Sequence, residues 1–386
     1  MADFEDSIHR QTWGNHESIL RWAENRAARG GHGPQGPDGS DSLTVLAGEL
    51  RQKCIQEFHN SRVDSKLRIA MHVPPFEYSP GGASLFNNLK SSLDFIGIQV
   101  QTLPWQSTET RAFLERFQPN IVLTSDSEDY LRRIDWDALA HYRRRSHCLL
   151  GLTASIEAYG NPDLTGRLEN ARKRDVSFYY SFRTPEYLQQ RIDYAPFFDR
   201  GFRILSVEFG ANILNYFPIG EIEPDLDYVF LASSNPDKWP RYFAYLPAIL
   251  SRYPGFLDGP GWAYIHRWAP PSLHRYLYAR AKVGINLHIQ ESIDWPCELN
   301  ERTYILAASG VPQLVDRAKL LTERFSPESM YIADTPEEYL HGFERLRNDR
   351  QLALEKSHQA MRDVYSKHTT FHRASGLAKD LESLLN

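Results

Sequence analysis

From Lys66 onward, short apolar runs alternate with stretches whose apolar residues recur at helical spacing. Residues 67–71 read as a buried strand, broken by the proline-flanked stretch 74–80. Gly81 and Gly82 open a helix over 83–95 that Gly97 ends, and 98–103 is the next strand. A helix over 108–117 then leads to a strand at 120–123. Strand and helix in this rhythm predict a parallel sheet covered on both faces. Strands at 148–154, 176–182 and 204–209 continue it, with a charged helix at 165–174.

After the Pro-containing charged segment 220–225 the rhythm restarts. Strands are expected at 228–232, 256–261, 283–289, 311–315 and 330–333. Helices are expected at 241–250, 272–281 and 301–308, the last closed by Gly310. From Thr335 the chain is helical. Thr335 caps, Pro336 takes the first position and Glu337 and Glu338 face the positive helix end. Residues 1–66 differ: two amphipathic helices, 8–28 and 43–58, flank a Gly/Pro-rich loop, 29–39, that reads as flexible. That loop is no phosphate loop, because no strand precedes it and no Lys-Ser/Thr follows.

These patterns define four expected regions. Residues 1–66 form a helical N-terminal extension, and 67–218 form an N-terminal Rossmann-like domain. Residues 219–366 form a second Rossmann-like domain, and 367–386 form a C-terminal helix. Ligands of such sheets bind at the carboxyl ends of the strands, so two such halves are expected to face across a cleft.

A chain of 386 residues is long enough for two cores. The net charge of −5 argues against a general nucleic-acid binder. Arg143, Arg144 and Arg145 are the most basic run and read as a solvated helix face. Cys54, Cys148 and Cys297 are isolated, so neither a disulfide framework nor a zinc site follows. No stretch approaches the roughly 20 apolar residues of a membrane span, and the polar start is not a signal peptide. The expected location is the cytoplasm. Aromatic residues reach 12%, which serves packing first and sugar or base stacking second.

Residues 300–316, Asn300-Glu301-Arg302-Thr303 through Gly310 to Asp316, and the ending Lys367-His368-Thr369-Thr370-Phe371-His372-Arg373 have a specific likeness. Together they resemble the C-terminal domain of the spore maturation protein (CgeB-like) branch of the GT-B glycosyltransferases. Val207 to Asn212, Asp227 to Ser233, Gly259-Pro260-Gly261-Trp262 and Gly284 to His288 fall in the same order as in that branch. Ser79-Pro80-Gly81-Gly82 resembles the Gly-Gly loop of group 1 glycosyltransferases. The likeness covers roughly residues 200–380 and leaves 1–66 unmatched. It implies a GT-B fold, a nucleotide-sugar donor (UDP-, GDP- or dTDP-sugar) held by the second half, an acceptor held by the first, and no obligate metal. It also implies that the last helix crosses back to the first domain.

The resemblance nominates donor-binding residues Gly81, Gly82, Lys238, Arg241, Asn286, His288, Glu298, Glu301, Arg302 and Thr303. A diphosphate leaving group needs cations and backbone N–H groups, which these positions supply. Two departures stand out. Ile305 occupies the position where the branch carries a ribose-binding Glu, and Ser233 one where related enzymes often carry an Arg. Glu298 and Glu301 are the nearby acids that could replace the first. Asp126, Glu157 and Glu77 lie near strand ends as carboxylate candidates for a general base, and His288 as a proton carrier. Asp126-Ser127-Glu128 reads as a helix cap followed by acids rather than a metal motif. The leading expectation is sugar transfer to an unidentified acceptor. The alternatives are a nucleotide-sugar epimerase and a non-catalytic nucleotide-sugar-binding or assembly protein. The N-terminal extension is a candidate homo-oligomer contact.

Overall fold

The computed structural model describes residues 1–29, 42–156, 163–220 and 222–386. Most of the Gly/Pro loop, and Glu157, therefore lie outside the described residues. The chain divides into two compact units. One comprises residues 1–54 and 210–369, the other residues 55–209 and 370–386.

The second of these holds a six-stranded sheet. Its strands are β1 (Arg68–His72), β2 (Gln99–Leu103), β3 (Ile121–Thr124), β4 (Leu149–Thr153), β5 (Phe178–Ser181) and β6 (Ile204–Ser206), in the order β2-β1-β3-β4-β5-β6. Every pairing is parallel. The strands β3 and β5 are buried at all positions, as sheets covered on both faces require. The helix Pro80–Phe95 covers one face together with the last helix, Thr370–Leu385. Ser92 Oγ donates to Thr370 Oγ1 at 2.6 Å, and Phe95 stacks on Phe371 at 4.3 Å.

The other unit holds five parallel strands. These are β7 (Val229–Leu231), β8 (Phe256–Asp258), β9 (Gly284–Asn286), β10 (Gln313–Asp316) and β11 (Tyr331–Ala333), in the order β11-β10-β9-β7-β8. Its core includes Phe4 and Ile8 beside Tyr228, Phe230, Leu246 and Phe343, so the chain's first residues are packed here rather than trailing. The helix Arg10–Ala28 lies against the edge strand β8.

Each sheet reverses its winding direction once, between β1 and β3 in the first and between β7 and β9 in the second. Such reversals open a crevice at the strands' carboxyl ends, because the following loops diverge to opposite faces.

Several expectations shift. The helix expected at 241–250 is two, Trp239–Tyr245 and Pro247–Leu250, because Pro247 has no N–H to continue the ladder. The strand expected at 283–289 stops at Asn286, since the His288 N–H bonds the Asp316 carboxylate instead of a neighbouring strand. Arg143 is not solvated. It bonds the Cys148 and Arg174 carbonyls and Ser177 Oγ, while Arg144 and Arg145 are exposed.

Candidate functional site

The five-stranded unit gathers most of the nominated residues at its winding reversal. Asn300 caps the helix Glu301–Ala308 by accepting the Thr303 N–H at 3.1 Å. That cap places Arg302 and Thr303 in the first turn, at the ends of β7 and β9. Arg302 Nε donates to the Leu231 carbonyl at 2.9 Å, and its NH1 to Asn286 Oδ1 at 3.3 Å. One guanidinium therefore bridges the two strands across which the sheet reverses.

Beneath it lies a buried polar network. Asn286 Nδ2 donates to Thr303 Oγ1 at 2.9 Å and to Gln313 Oε1 at 2.8 Å. His288 bonds Asp316 Oδ1 through Nδ1 at 2.7 Å and Thr303 Oγ1 through Nε2 at 3.1 Å. Burial lowers the His288 pKa, against the pull of Asp316. With both ring nitrogens engaged and no exposed surface, His288 holds the network together. Arg241 pairs with Asp316 at 2.9 Å and bonds Gln290 Oε1. Burial would raise the Asp316 carboxyl, yet His288 and Arg241 hold it below the usual range. The charge of Arg241 is thus neutralised within the protein.

Lys238 differs. It ends the short turn Pro236–Lys238 that follows β7, and it is half-buried. Among the described residues its Nζ makes no hydrogen bond or ion pair. Burial lowers its pKa to about 8, the Arg302 charge adds to that, and Glu298 and Asp316 oppose it. No carboxylate pairs with Arg302 either, among the described residues. Lys238 and Arg302 thus act on each other, and among the described residues no carboxylate bonds either, although Glu298 and Asp316 act on Lys238 through space.

Glu298 makes itself felt at Lys238. Glu301 sits where its charge reaches the buried phenols of Tyr216 and Tyr278. Ile305 is buried in the helix wall, 5% exposed, so no side-chain acceptor stands there.

In the six-stranded unit, Gly81 and Gly82 lie in the first turn of the helix Pro80–Phe95, capped by Ser79. Neither has a positive φ. A side chain at Gly82 would meet Ser79 Oγ at 2.8 Å, whereas Gly81 has open space. The cap followed by acids expected over 126–128 is Ser127 at the N-cap of a short helix, with Glu128 and Asp129 in its first turn. The Asp126 carboxylate is 2% exposed and accepts from Arg167 at 2.6 Å. Arg167 also holds the Ser155 and Ile156 carbonyls, both at 2.7 Å. Burial pushes Asp126 up to about 6, against the pull of Arg167.

Sequence reasoning missed His72. It ends β1 at that sheet's reversal, bonds Thr124 Oγ1 on β3 at 3.0 Å, and among the described residues leaves Nε2 without a hydrogen-bond partner. Trp105 and Tyr130 rings lie 4.8 and 5.4 Å away, and Tyr78 lies 5.2 Å from Trp105. Burial brings the His72 pKa down to about 4, with Arg133 adding to the effect. The available signal was a histidine closing a buried strand.

Residues 241–379 match the protein family described as glycosyl transferase-like. Over those residues, a little more than a third of the chain, the sequence is similar to that family. That span includes Asn286, His288, Arg302 and Asp316, while Lys238 lies just before it. No curated protein sequence matches the chain. Among solved structures, an α-glucosyltransferase in complex with UDP-glucose and abasic-site DNA aligns at 10% identity. The alignment covers 83% of this chain and 99% of that one, with a TM-score of 0.59. The DNA-modifying enzyme β-glucosyltransferase aligns at 12% identity over 83% and 99%, with a TM-score of 0.55. T4 phage BGT in complex with UDP-glucose gives 9%, 83%, 100% and 0.54. At these identities the likeness is one of fold, and the fold is that of GT-B glycosyltransferases. Among the described residues, no helix is long and apolar enough to cross a membrane.

Proposed function

We propose that the protein transfers a sugar from a nucleotide-sugar donor to a hydroxyl group of an acceptor. The observation that carries this is the pair of cations Lys238 and Arg302, bonded by no carboxylate among the described residues, at the winding reversal of the five-stranded sheet. In the reaction the bond from the anomeric carbon to the β-phosphate oxygen breaks. A bond to the acceptor oxygen forms, the acceptor loses its proton, and a nucleoside diphosphate leaves. Charge grows on that diphosphate as the bond breaks, so cations fixed beforehand favour the transition state. Lys238 and Arg302 are proposed to supply the positive charge without a metal. Asn286 bonds Arg302, and Thr303, His288, Asp316 and Arg241 complete the network beneath it.

UDP is the proposed nucleotide, because the similar α- and β-glucosyltransferases were crystallised with UDP-glucose. Glu298 and Glu301 are the proposed ribose-side acids in place of the missing Glu at Ile305. The acceptor is proposed to dock at the ends of β1 and β3. There Tyr78 and Trp105 provide aromatic surface beside His72, and Gly81 and Gly82 keep the helix start open. Asp126 and Glu157 are the proposed proton acceptors; Asp126 has to release Arg167 first.

A second reading, nucleotide-sugar binding without transfer, draws on Ile305 and Ser233. One experiment separates the two. Isothermal titration with UDP, GDP and dTDP is followed by UDP-glucose turnover in the presence of EDTA. Nucleotide binding with slow donor hydrolysis supports transfer. Binding without any donor breakdown favours the second reading, and no binding by any nucleotide refutes both.

A further inference from the structure

The N-terminal helix Arg10–Ala28 has no counterpart in the family resemblance, and nothing in the proposed chemistry calls for it. Its one buried titratable side chain, His16, nevertheless enters the five-stranded unit at a specific point. Nε2 bonds Asp258 Oδ1 at 2.8 Å, and the ring stacks on Phe256 at 4.9 Å with an 11° tilt. Asp258 is the last residue of β8 and is 2% exposed. Its other oxygen accepts the Ala269 N–H at 2.8 Å. A carboxylate buried this deeply stays put only while both oxygens are engaged.

From Asp258 a continuous series of bonds runs to Lys238. The Asp258 carbonyl accepts the Ala232 N–H at 2.8 Å, and the Pro260 carbonyl accepts the Ser234 N–H at 2.9 Å. Trp262 Nε1 returns to the Ala232 carbonyl at 2.7 Å. Gly259, at φ 137°, permits the approach: a Cβ there would lie 2.4 Å from the Ala232 oxygen. Ser234 then takes Trp239 Nε1 at 3.2 Å, and Asn235 fastens the turn by accepting the Asp237 N–H through its side chain and the Lys238 N–H through its carbonyl. A second anchor from the same N-terminal segment holds the far side of the turn. Glu5, 1% exposed, accepts the Ala263 N–H at 2.8 Å.

We propose that His16 is a positioning residue for the anion site. Through Asp258 and the 258–262 turn it fixes the 232–238 segment, and with it the ammonium of Lys238, in place for a nucleoside diphosphate. This rests on the reading of Lys238 given above. It makes the N-terminal helix part of the donor site although none of its residues touches the nucleotide.

The test uses the full chain and UDP as probe, titrated calorimetrically at a temperature where circular dichroism shows each protein fully folded. His16→Leu removes the bond to Asp258 and is expected to weaken UDP binding at least fivefold. His16→Gln restores a donor to Asp258 and is expected to recover affinity to within twofold of the parent. Lys238→Met is the reference. If Lys238→Met weakens UDP while folded His16→Leu binds as the parent does, the positioning role is overturned. If Lys238→Met leaves affinity unchanged, it is the reading of the site that falls. Should His16→Leu fail to fold, Asp258→Asn takes its place; parental UDP affinity in that variant overturns the role, and weakening supports it.

Discussion

Replacing Lys238 by methionine tests the anion site where it is most specific, in its pH dependence. In the free protein, burial and the neighbouring Arg302 bring the Lys238 ammonium down to about 8. A bound diphosphate supplies the missing counter-charge and draws the pKa back up. The proton affinity of the complex then exceeds that of the free protein, so UDP binding is full below pH 8 and weakens as pH rises through it. With a free-state pKa of 8 the loss follows 1 + 10^(pH−8), about tenfold between pH 7 and pH 9. The terminal phosphate of UDP, with a second pKa of about 6, is already ionised across that window. A charge-assisted bond contributes about 1.5–3 kcal/mol. Lys238→Met should therefore bind UDP about 10- to 100-fold more weakly at pH 7, and with no further loss up to pH 9. Calorimetry in two buffers of different ionisation enthalpy reads both the affinity and the proton uptake. A parent protein whose affinity and proton uptake stay flat from pH 7 to pH 9 would refute the reasoning, whatever the variant does.

Other consequences follow from the same geometry. Arg167→Met removes the pull that holds Asp126 at about 6, so the buried carboxyl takes up a proton at neutral pH, and with the Ser155 and Ile156 carbonyls unbonded the cost should be about 1–3 kcal/mol. Adding Asp126→Asn should recover part of that, and equal denaturation midpoints for single and double variants would contradict the pairing. His72, whose pKa lies near 4 when folded and near 6.5 when unfolded, stays unprotonated in the native state where the unfolded chain takes up a proton. Its contribution therefore falls as pH drops from 6.5 towards 4, by up to about 1.4 kcal/mol per pH unit. Urea titrations should show His72→Phe losing that slope relative to the parent; a stability difference that is the same at every pH would sink the assignment. Gly259→Ala places a Cβ against the Ala232 oxygen at an unfavourable φ. It should lower stability by roughly 2–4 kcal/mol, and a thermal midpoint within a degree of the parent would contradict the close approach.

The two sheets were legible because their strands are continuous apolar runs between turn residues. The helix 301–308 was read to the residue, since Asn300 and Gly310 mark both ends locally. Elements were misjudged where long-range contacts decide. Pro247 splits a helix whose spacing looked continuous, and β9 ends early because Asp316, 28 residues away, takes the His288 N–H. Lys238 and Arg302 were named from resemblance, but that no carboxylate among the described residues bonds either is visible only in three dimensions. The same holds in reverse for Arg241, whose charge goes to Asp316, and for Arg143, whose guanidinium organises three carbonyl and hydroxyl groups. His16 was out of reach for a stronger reason. Its partner is 242 residues distant, and a histidine in an amphipathic helix gives no sign that it reaches a buried carboxylate.

The two winding reversals have opposite chemical characters, and that contrast argues for a division of labour. At the end of β7 and β9 stand an arginine and a lysine that no carboxylate among the described residues bonds, next to an acid already paired with other partners. At the end of β1 and β3 stand a histidine held unprotonated at neutral pH and several aromatic rings. A diphosphate gains from the first setting and is penalised by the second, where burial would strip its hydration without returning charge. A neutral hydroxyl-bearing molecule with an apolar face has the reverse preference, since aromatic faces and a single free ring nitrogen suit it. The same strand order thus gives two reversals of different chemical character because different residues end the strands. Exchanging those terminal residues, rather than altering either sheet, is the change that would abolish the distinction.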